Sequence, residues 1–389
     1  MKPANSVLSG YGTTIFEVMS RLAAAHGAVN LGQGFPEGLE PADVLDVAAQ
    51  AVSEGPHQYP SMMGITALRQ AVAAHSRRFY GLDVDWEREV MVTSGATEAL
   101  ADCLLGLIEP GDEVVLLEPL YDSYLPIVRR AGGIPRTVRL EPPHWELPRE
   151  ALAAAFSDRT KLILLNSPMN PAGKVFDADE LAFIAELVLR HDTYAVCDEV
   201  YEHILFDGRR HVPLMTLPGM RERTLRIGSA GKTFSLTGWK IGYVTAAPAL
   251  LQPVAKCHQF ITFTTPPNLQ AAVAYGLGKD DGYFQVLADG LQVRRDRLAE
   301  GLRAIGFATL DCQGTYFLTT DVRPLGIVEP DADFCRRITV EAGVAAVPVS
   351  AFYTRADVGH YVRFCFAKTD AAIDEALLRL GRYFARVNA

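Results

Sequence analysis

Five short apolar runs in this chain are each followed by residues able to do chemistry. Ser94-Gly95-Ala96-Thr97 follows Val90-Met91-Val92, and Pro119 and Tyr121 follow Val114-Val115-Leu116-Leu117. Asn166 and Asn170-Pro171 follow Leu162-Ile163-Leu164-Leu165, and Asp198 and Tyr201 follow Tyr194-Ala195-Val196-Cys197. Ser229 and Lys232 follow Leu225-Arg226-Ile227. In an open α/β sheet, ligands gather beyond the carboxyl ends of the strands. One rim then collects small residues for an anion, an aromatic ring, an amide, a carboxylate, a phenol and an amine. Pyridoxal phosphate needs that set. Its aldehyde takes a lysine as a Schiff base, and its pyridine nitrogen needs an acidic partner to stay protonated and draw electrons. Its ring oxygen suits an amide and a phenol, its phosphate the free N–H groups of a helix N-terminus, and its flat ring an aromatic face.

The elements that must hold these groups are legible as strand–helix alternation from about residue 89. Continuous apolar runs separated by helices describe a parallel sheet covered on both faces. Near the start, Thr14 and Glu17 have capping-box spacing, and Ile15, Val18, Met19 and Leu22 form one apolar stripe. Further helices are expected over about 65–79, from Asp177 and Glu180 onward, over about 283–305, and from Asp370 onward. The 283–305 helix is long enough to bridge two domains, and a chain of 389 residues is expected to have two.

Composition narrows the function. Acidic residues outnumber basic ones, 46 against 37, for a net charge of −9, whereas a nucleic-acid binder needs a basic face. The start, Met1 to Ser6, lacks the apolar core of a signal peptide. The uncharged stretch from Cys257 to Gly278 contains His258, Pro266, Pro267, Asn268 and Gln270, which rules it out as a membrane span. Six scattered cysteines without a Cys-x-x-Cys pair read as reduced thiols in a cytoplasmic chain. The nine histidines show no metal-ligand spacing. Gly32-Gln33-Gly34 has its third glycine at Gly38, one residue late for a dinucleotide fingerprint.

The segment from Ser229 to Gly242, Ser-Ala-Gly-Lys-Thr-Phe-Ser-Leu-Thr-Gly-Trp-Lys-Ile-Gly, resembles the cofactor-lysine segment of class I/II aminotransferases. Asn166 to Pro171, Cys197-Asp198-Glu199-Val200-Tyr201 and Val362-Arg363-Phe364 match the same family in its chain order. The resemblance runs from Leu31-Gly32-Gln33-Gly34-Phe35-Pro36 to the C-terminal helix. Within the family it is similar to the N-succinyldiaminopimelate, kynurenine/glutamine and methionine branches. It implies an α/β, fold type I transferase dependent on pyridoxal phosphate. The large cofactor domain would span residues 48–285 around a mostly parallel seven-stranded sheet. Residues 1–47 and 286–389 would form a smaller α+β domain.

The resemblance also assigns roles. Lys232 becomes the Schiff-base lysine and proton carrier, and Asp198 the partner of the pyridine nitrogen. Tyr201 and Asn170 serve the ring oxygen, and Tyr121 the ring face. Gly95, Ala96, Thr97, Ser229 and Lys240 hold the phosphate. Lys240 stands where many relatives carry arginine, keeping the charge but losing the fork. Arg363 takes the substrate α-carboxylate as a bidentate pair, near Gly34 and Asn170. Tyr59 reaches the phosphate of a neighbouring subunit, which implies a homodimer, and Phe263, in a region that would also cross the interface, is a candidate for lining the substrate pocket. The substrates implied are an L-amino acid and a 2-oxo acid, with no nucleic acid, membrane or metal involved. Residues 293–298 and 321–326 look most like the succinyldiaminopimelate branch, and Thr97 stands where kynurenine relatives often have tyrosine.

Two other readings use the same residues. β-Elimination, as in cysteine-conjugate lyases, begins with the same α-proton loss, so the motifs do not separate it from transamination. A regulator on this fold would carry a DNA-binding domain, for which residues 1–47 are too short and not basic enough.

Overall fold

The apolar runs become the centre of one seven-stranded sheet in the computed structural model, which describes residues 2–355 and 357–387. Its strands are β1 (Val90–Ser94), β2 (Glu113–Glu118), β3 (Ile134–Arg139), β4 (Thr160–Asn166), β5 (Tyr194–Asp198), β6 (Thr224–Ser229) and β7 (Ile241–Thr245). Across the sheet the order is β1-β7-β6-β5-β4-β2-β3. Only β7 runs against the rest, pairing antiparallel with β1 and β6. Ser229 of β6 therefore sits opposite Gly242, and Ser94 of β1 opposite Ile241. The chain leaves β1 at one edge, crosses to β2 and β3 at the other, and returns strand by strand. That reversal of strand order opens the ligand crevice of an α/β sheet.

Side chains of β2, β4 and β5 are almost wholly buried on both faces, each apolar one contributing roughly 1.5–3 kcal/mol. Helices Gly95–Leu107 and Pro248–Ile261 pack Leu100, Leu104, Leu251 and Val254 on one face. The helix Ala178–Arg190 packs Leu181, Ile184 and Val188 on the other, opened by a complete capping box between Asp177 and Glu180. The Thr14 box is only half formed: its side chain accepts from the Glu17 amide, while the Glu17 carboxylate turns to Arg21. β3 escaped the sequence reading because an edge strand is polar and tolerates proline, here Pro135.

A second sheet of four antiparallel strands contains Phe317–Asp321 and Tyr361–Cys365, paired Thr319 to Arg363. Val29–Asn30 pairs with Val344–Ala345 in a separate two-stranded sheet. The long helix runs Asp281–Ile305, capped by the Asp280 side chain and by Gly306 in the left-handed region. It packs along the helix Asp370–Val387 through Leu298, Leu302, Ala376 and Leu380. Among the described residues no helix is long and apolar enough to cross a membrane.

Candidate active site

A cavity of about 280 Å³ opens where β1, β4, β5 and β6 end. It is lined by Gly34, Gly95, Ala96, Thr97, Tyr121, Asn170, Asp198, Tyr201, Ser229, Lys232, Lys240 and Arg363. Every expected site residue except Tyr59 and Phe263 is therefore brought to one place, with Arg363 and Gly34 arriving from outside the large sheet.

Each arrives for a local reason. Asn166 ties the ends of β4 and β5: its amide donates to the Asp198 carbonyl (2.9 Å), and its oxygen accepts from the Asn170 backbone (2.8 Å). The Asn170–Pro171 peptide is cis. Gly95 adopts φ +71°, and a Cβ there would lie 3.3 Å from Lys240 Cε. A Cβ on Gly242 would lie 2.6 Å from the Gly95 carbonyl carbon, so this corner has room only for backbone. At Gly34 a Cβ would fall 2.4 Å from the Phe317 ring, which lets the loop backbone lie flat on that ring.

The electrostatics are unusual for a buried site. Asp198 is buried, and Tyr124 donates to its Oδ2 at 2.6 Å. Burial lifts its carboxyl above the ordinary aspartate range, with Tyr124 opposing. Burial lowers Lys232 to about 8, against the pull of Asp198. Its Nζ donates to the Tyr316 hydroxyl (3.0 Å), which in turn donates to the Gly34 carbonyl (2.9 Å). Arg363 is fully buried and lowered to about 10 by desolvation. It donates to Asn170 Oδ1 (2.9 Å) and the Gly32 carbonyl (2.8 Å), and its guanidinium stacks 3.8 Å over Phe317. Its Nε has no partner.

These observations test whether pyridoxal phosphate fits. Among the described residues Asp198 is a buried carboxylate without a salt-bridged cation, and Lys232, Lys240 and Arg363 are cations without a salt-bridged carboxylate. Leaving Asp198, Lys232 and Arg363 unpaired away from water is costly, whereas Lys240 is exposed at the rim. A ligand with a protonated ring nitrogen, an aldehyde and a phosphate, accompanied by a substrate carboxylate, complements all four. The cofactor fits.

Other expected residues lie elsewhere. Tyr59 is 82% exposed and lies outside the chain's own cavity, its ring edge-on to Phe263 at 5.7 Å. Phe263, read from the sequence as a pocket residue, also lies outside that cavity. It sits in the left-handed region at φ 70°, on the surface loop that follows Pro248–Ile261. Arg294, Arg295, Arg297 and Arg323, from the segments suggesting a substrate branch, pair with Asp370, Asp207, Asp374 and Asp321. They carry no pocket contact. The sequence reading missed Phe16, Tyr124, Tyr316 and Phe317. Tyr124 had one signal, standing three residues beyond Tyr121 at the start of the helix Tyr124–Arg130; Tyr316 and Phe317 belong to no motif. Histidine spacing offered no metal set, yet the fold gathers His75, Glu202 and His203 in one place and Glu98, Asp102 and His258 in another. His75 and His203 bond each other at 2.7 Å, and Glu202 is taken up by Arg226, Tyr80 and Tyr243.

Comparison with known proteins agrees with this geometry. The sequence profile of the family "Aminotransferase class I and II" matches residues 27–380. A probable N-succinyldiaminopimelate aminotransferase of Mycobacterium tuberculosis is 47% identical, covering 96% of this chain and 97% of that protein. The methionine aminotransferase of Escherichia coli is 38% identical, with 96% and 97% covered. The solved structure of N-succinyldiaminopimelate aminotransferase from Mycobacterium tuberculosis superposes with a TM-score of 0.95, covering 98% of this chain and 100% of that one.

Proposed function

This chain belongs to the class I and II aminotransferases, pyridoxal-phosphate-dependent transaminases of fold type I, and from that premise we propose that it moves an amino group from N-succinyldiaminopimelate to 2-oxoglutarate. The observation that carries the amino-acid chemistry is Arg363, a fully buried guanidinium with an unpartnered Nε and no ion-paired carboxylate, facing the same cavity as Lys232. The likeness to the mycobacterial relative over almost the whole chain supports the choice of donor.

In this reading Lys232 carries the cofactor, and its amine, once displaced, moves the proton at the substrate α-carbon. A pKa near 8 suits an amine that must both take and return a proton close to neutrality. The chemistry pyridoxal phosphate supplies when bound is a carbonyl carbon for the amino group and a protonated ring that draws electrons from the α-carbon. Asp198, held by Tyr124, keeps the proton on the ring nitrogen. Asn170 has its oxygen committed to Arg363, which leaves its amide hydrogens for the ring oxygen beside Tyr201. Tyr121 covers the ring face. The backbone of Gly95, Ala96 and Thr97 at a helix N-terminus, with Ser229 and Lys240, grips the phosphate. Arg363 holds the substrate α-carboxylate, with Gly34 close by.

The enzyme works as a homodimer in which Tyr59 serves the partner's phosphate. Support comes from the exposed aromatic and aliphatic surface of Tyr59, Phe260, Ile261 and Phe263, the kind of patch that marks an interface. Residues 48–285 act as the cofactor domain, and 1–47 with 286–389 as the small one. Six unpaired cysteines suit the cytoplasm. A second reading, a methionine- or kynurenine-type donor, is supported by Phe16, Leu100 and Phe317 in the cavity wall.

A donor panel with 2-oxoglutarate and pyruvate as acceptors tests the assignment. The highest kcat/KM is expected for N-succinyldiaminopimelate with 2-oxoglutarate; a higher value for methionine or kynurenine would transfer the assignment to the second reading. Pyruvate released from a cysteine conjugate, in excess of transamination product, would show that elimination dominates. Borohydride reduction followed by peptide mapping is expected to label Lys232 and no other lysine.

A further inference from the structure

The helix that begins with the phosphate-gripping residues Gly95, Ala96 and Thr97 lacks an ordinary cap. Ser94 stands at the cap position, but its side chain makes no capping bond. Glu98 does the work instead: one carboxylate oxygen accepts from the Ser94 amide, and the other lies 3.0 Å from His258 Nδ1. His258, fully buried in the helix Pro248–Ile261, places its Nε2 2.9 Å from the Met62 carbonyl. Each ring nitrogen thus faces an acceptor. A carbonyl oxygen can only accept. The Glu98 carboxyl, although buried, is held below the ordinary glutamate range with the help of hydrogen bonds from Thr262 and the Ser94 amide. Glu98, Asp102 and the Met62 carbonyl raise His258 against its burial. Both nitrogens must therefore carry protons. Asp102 also faces the ring, its Oδ2 3.8 Å from Nδ1, and the thiols of Cys103 and Cys257 lie next to Asp102.

Met62 lies three residues from Tyr59. The Met63 carbonyl accepts from the Val92 amide of β1 (3.0 Å), and the His258 carbonyl accepts from the amides of Thr262 and Phe263, the residue whose ring packs on Tyr59. The geometry points to His258 as a positioning residue for the cofactor phosphate: an imidazolium that clamps the first turn of the phosphate-gripping helix, through Glu98, to the segment carrying Tyr59, through the Met62 carbonyl. The inference rests on the reading above that these two elements meet phosphate, one in each subunit's site. His258 itself touches neither cofactor nor substrate.

Two measurements test it. In apo protein labelled with ¹⁵N-histidine, NMR at neutral pH is expected to show both His258 ring nitrogens protonated; a neutral tautomer would overturn the clamp, and this measurement needs no variant to fold. The second compares dissociation constants of pyridoxal phosphate and phosphate-free pyridoxal for wild type, His258→Asn and His258→Gln. Asparagine keeps a donor near the Nδ1 position and glutamine one near Nε2, so each variant retains one half of the clamp. Positioning of the phosphate site predicts about tenfold weaker binding of pyridoxal phosphate, roughly the effect of one lost hydrogen bond, with pyridoxal unchanged. Equal weakening of both ligands, or of neither, overturns the role. Failure of wild type to bind pyridoxal phosphate at all would instead sink the cofactor assignment.

Discussion

Tyr124→Phe removes a single hydroxyl and leaves an aromatic ring that packs edge-on against Tyr121 at 5.7 Å. The lost group is the 2.6 Å donor to Asp198 Oδ2. The Val200 amide, at 3.5 Å from Oδ1, is too far to replace it. A hydrogen bond to a charged acceptor is worth about 1.5–3 kcal/mol, and a pKa unit corresponds to about 1.4 kcal/mol, so the Asp198 carboxyl should rise by about one to two units. Burial has already raised it, so the change adds to an existing strain. In the proposed function Asp198 must be ionised to hold a proton on the cofactor ring, so the acid limb of kcat/KM should move to higher pH by that amount. In the apo protein the folded state keeps a proton that the unfolded chain has lost, so stability falls as pH rises through the window between the two pKa values. The variant widens that window upward. Its lower edge is the ordinary aspartate value of about 4 in the unfolded chain. Steady-state rates and melting temperatures measured from roughly pH 5 to 9 check both effects. An acid limb that stays in place in a folded variant would refute the argument that Tyr124 sets the charge of Asp198.

Arg363→Lys keeps the charge but loses the planar fork; KM for the amino acid should rise about 10- to 100-fold with a smaller change in kcat, and an unchanged KM would remove Arg363 from the carboxylate site. Gly242→Ala places a methyl 2.6 Å from the Gly95 carbonyl carbon; overpacking of this kind costs about 1–3 kcal/mol, to be read as a lower melting temperature together with weaker retention of pyridoxal phosphate on dialysis. Asp102 is fully buried with both oxygens unpartnered, and burial, followed by the Glu98 charge, raises it to about 8. Wild type therefore loses stability between about pH 4 and 8 as the unfolded chain alone gives up this proton, by a few kcal/mol. Asp102→Asn has no proton to lose, so its melting temperature should fall less than that of wild type between about pH 5.5 and 8.5; parallel curves would contradict the assigned protonation.

The strand ends were legible because buried strands announce themselves as apolar runs, and the residues just past a run must lie on the rim. That logic reached Thr97, Asn170, Asp198, Tyr201 and Lys232 without a structure. Arg363 was harder. Alternation in Tyr361-Val362-Arg363-Phe364 allowed a solvent-facing side chain, and only family resemblance placed it inward, where the structure has it wholly buried. Tyr124, Tyr316 and Phe317 went unread because their roles depend on contacts with distant segments: Tyr124 with Asp198, Tyr316 with Lys232 and Gly34, Phe317 with Arg363. The helices Ala42–Glu54, Pro248–Ile261 and Pro267–Leu277 also escaped notice; the last two start with proline, and the middle one continues through Pro253. The segment holding Arg294, Arg295 and Arg297 carried a likeness to the succinyldiaminopimelate branch, in keeping with the 47% identical mycobacterial relative, while its arginine side chains join neighbouring helices and loops.

The single reversed strand has a consequence for chain length. Parallel neighbours need a crossover of roughly a dozen residues or more to bring the chain back to its starting side, but β7 begins beside the point where β6 stops, with Ser229 facing Gly242. Ser229, Lys232 and Lys240 are thereby delivered by one short excursion that never leaves the ligand side of the sheet. Such a span behaves like a fixed-length tether pinned at both ends by hydrogen-bonded pairs. An added or deleted residue within it has no distant loop in which to be absorbed, so an amine at one end and an ammonium at the other keep a constant separation however much the surrounding surface drifts.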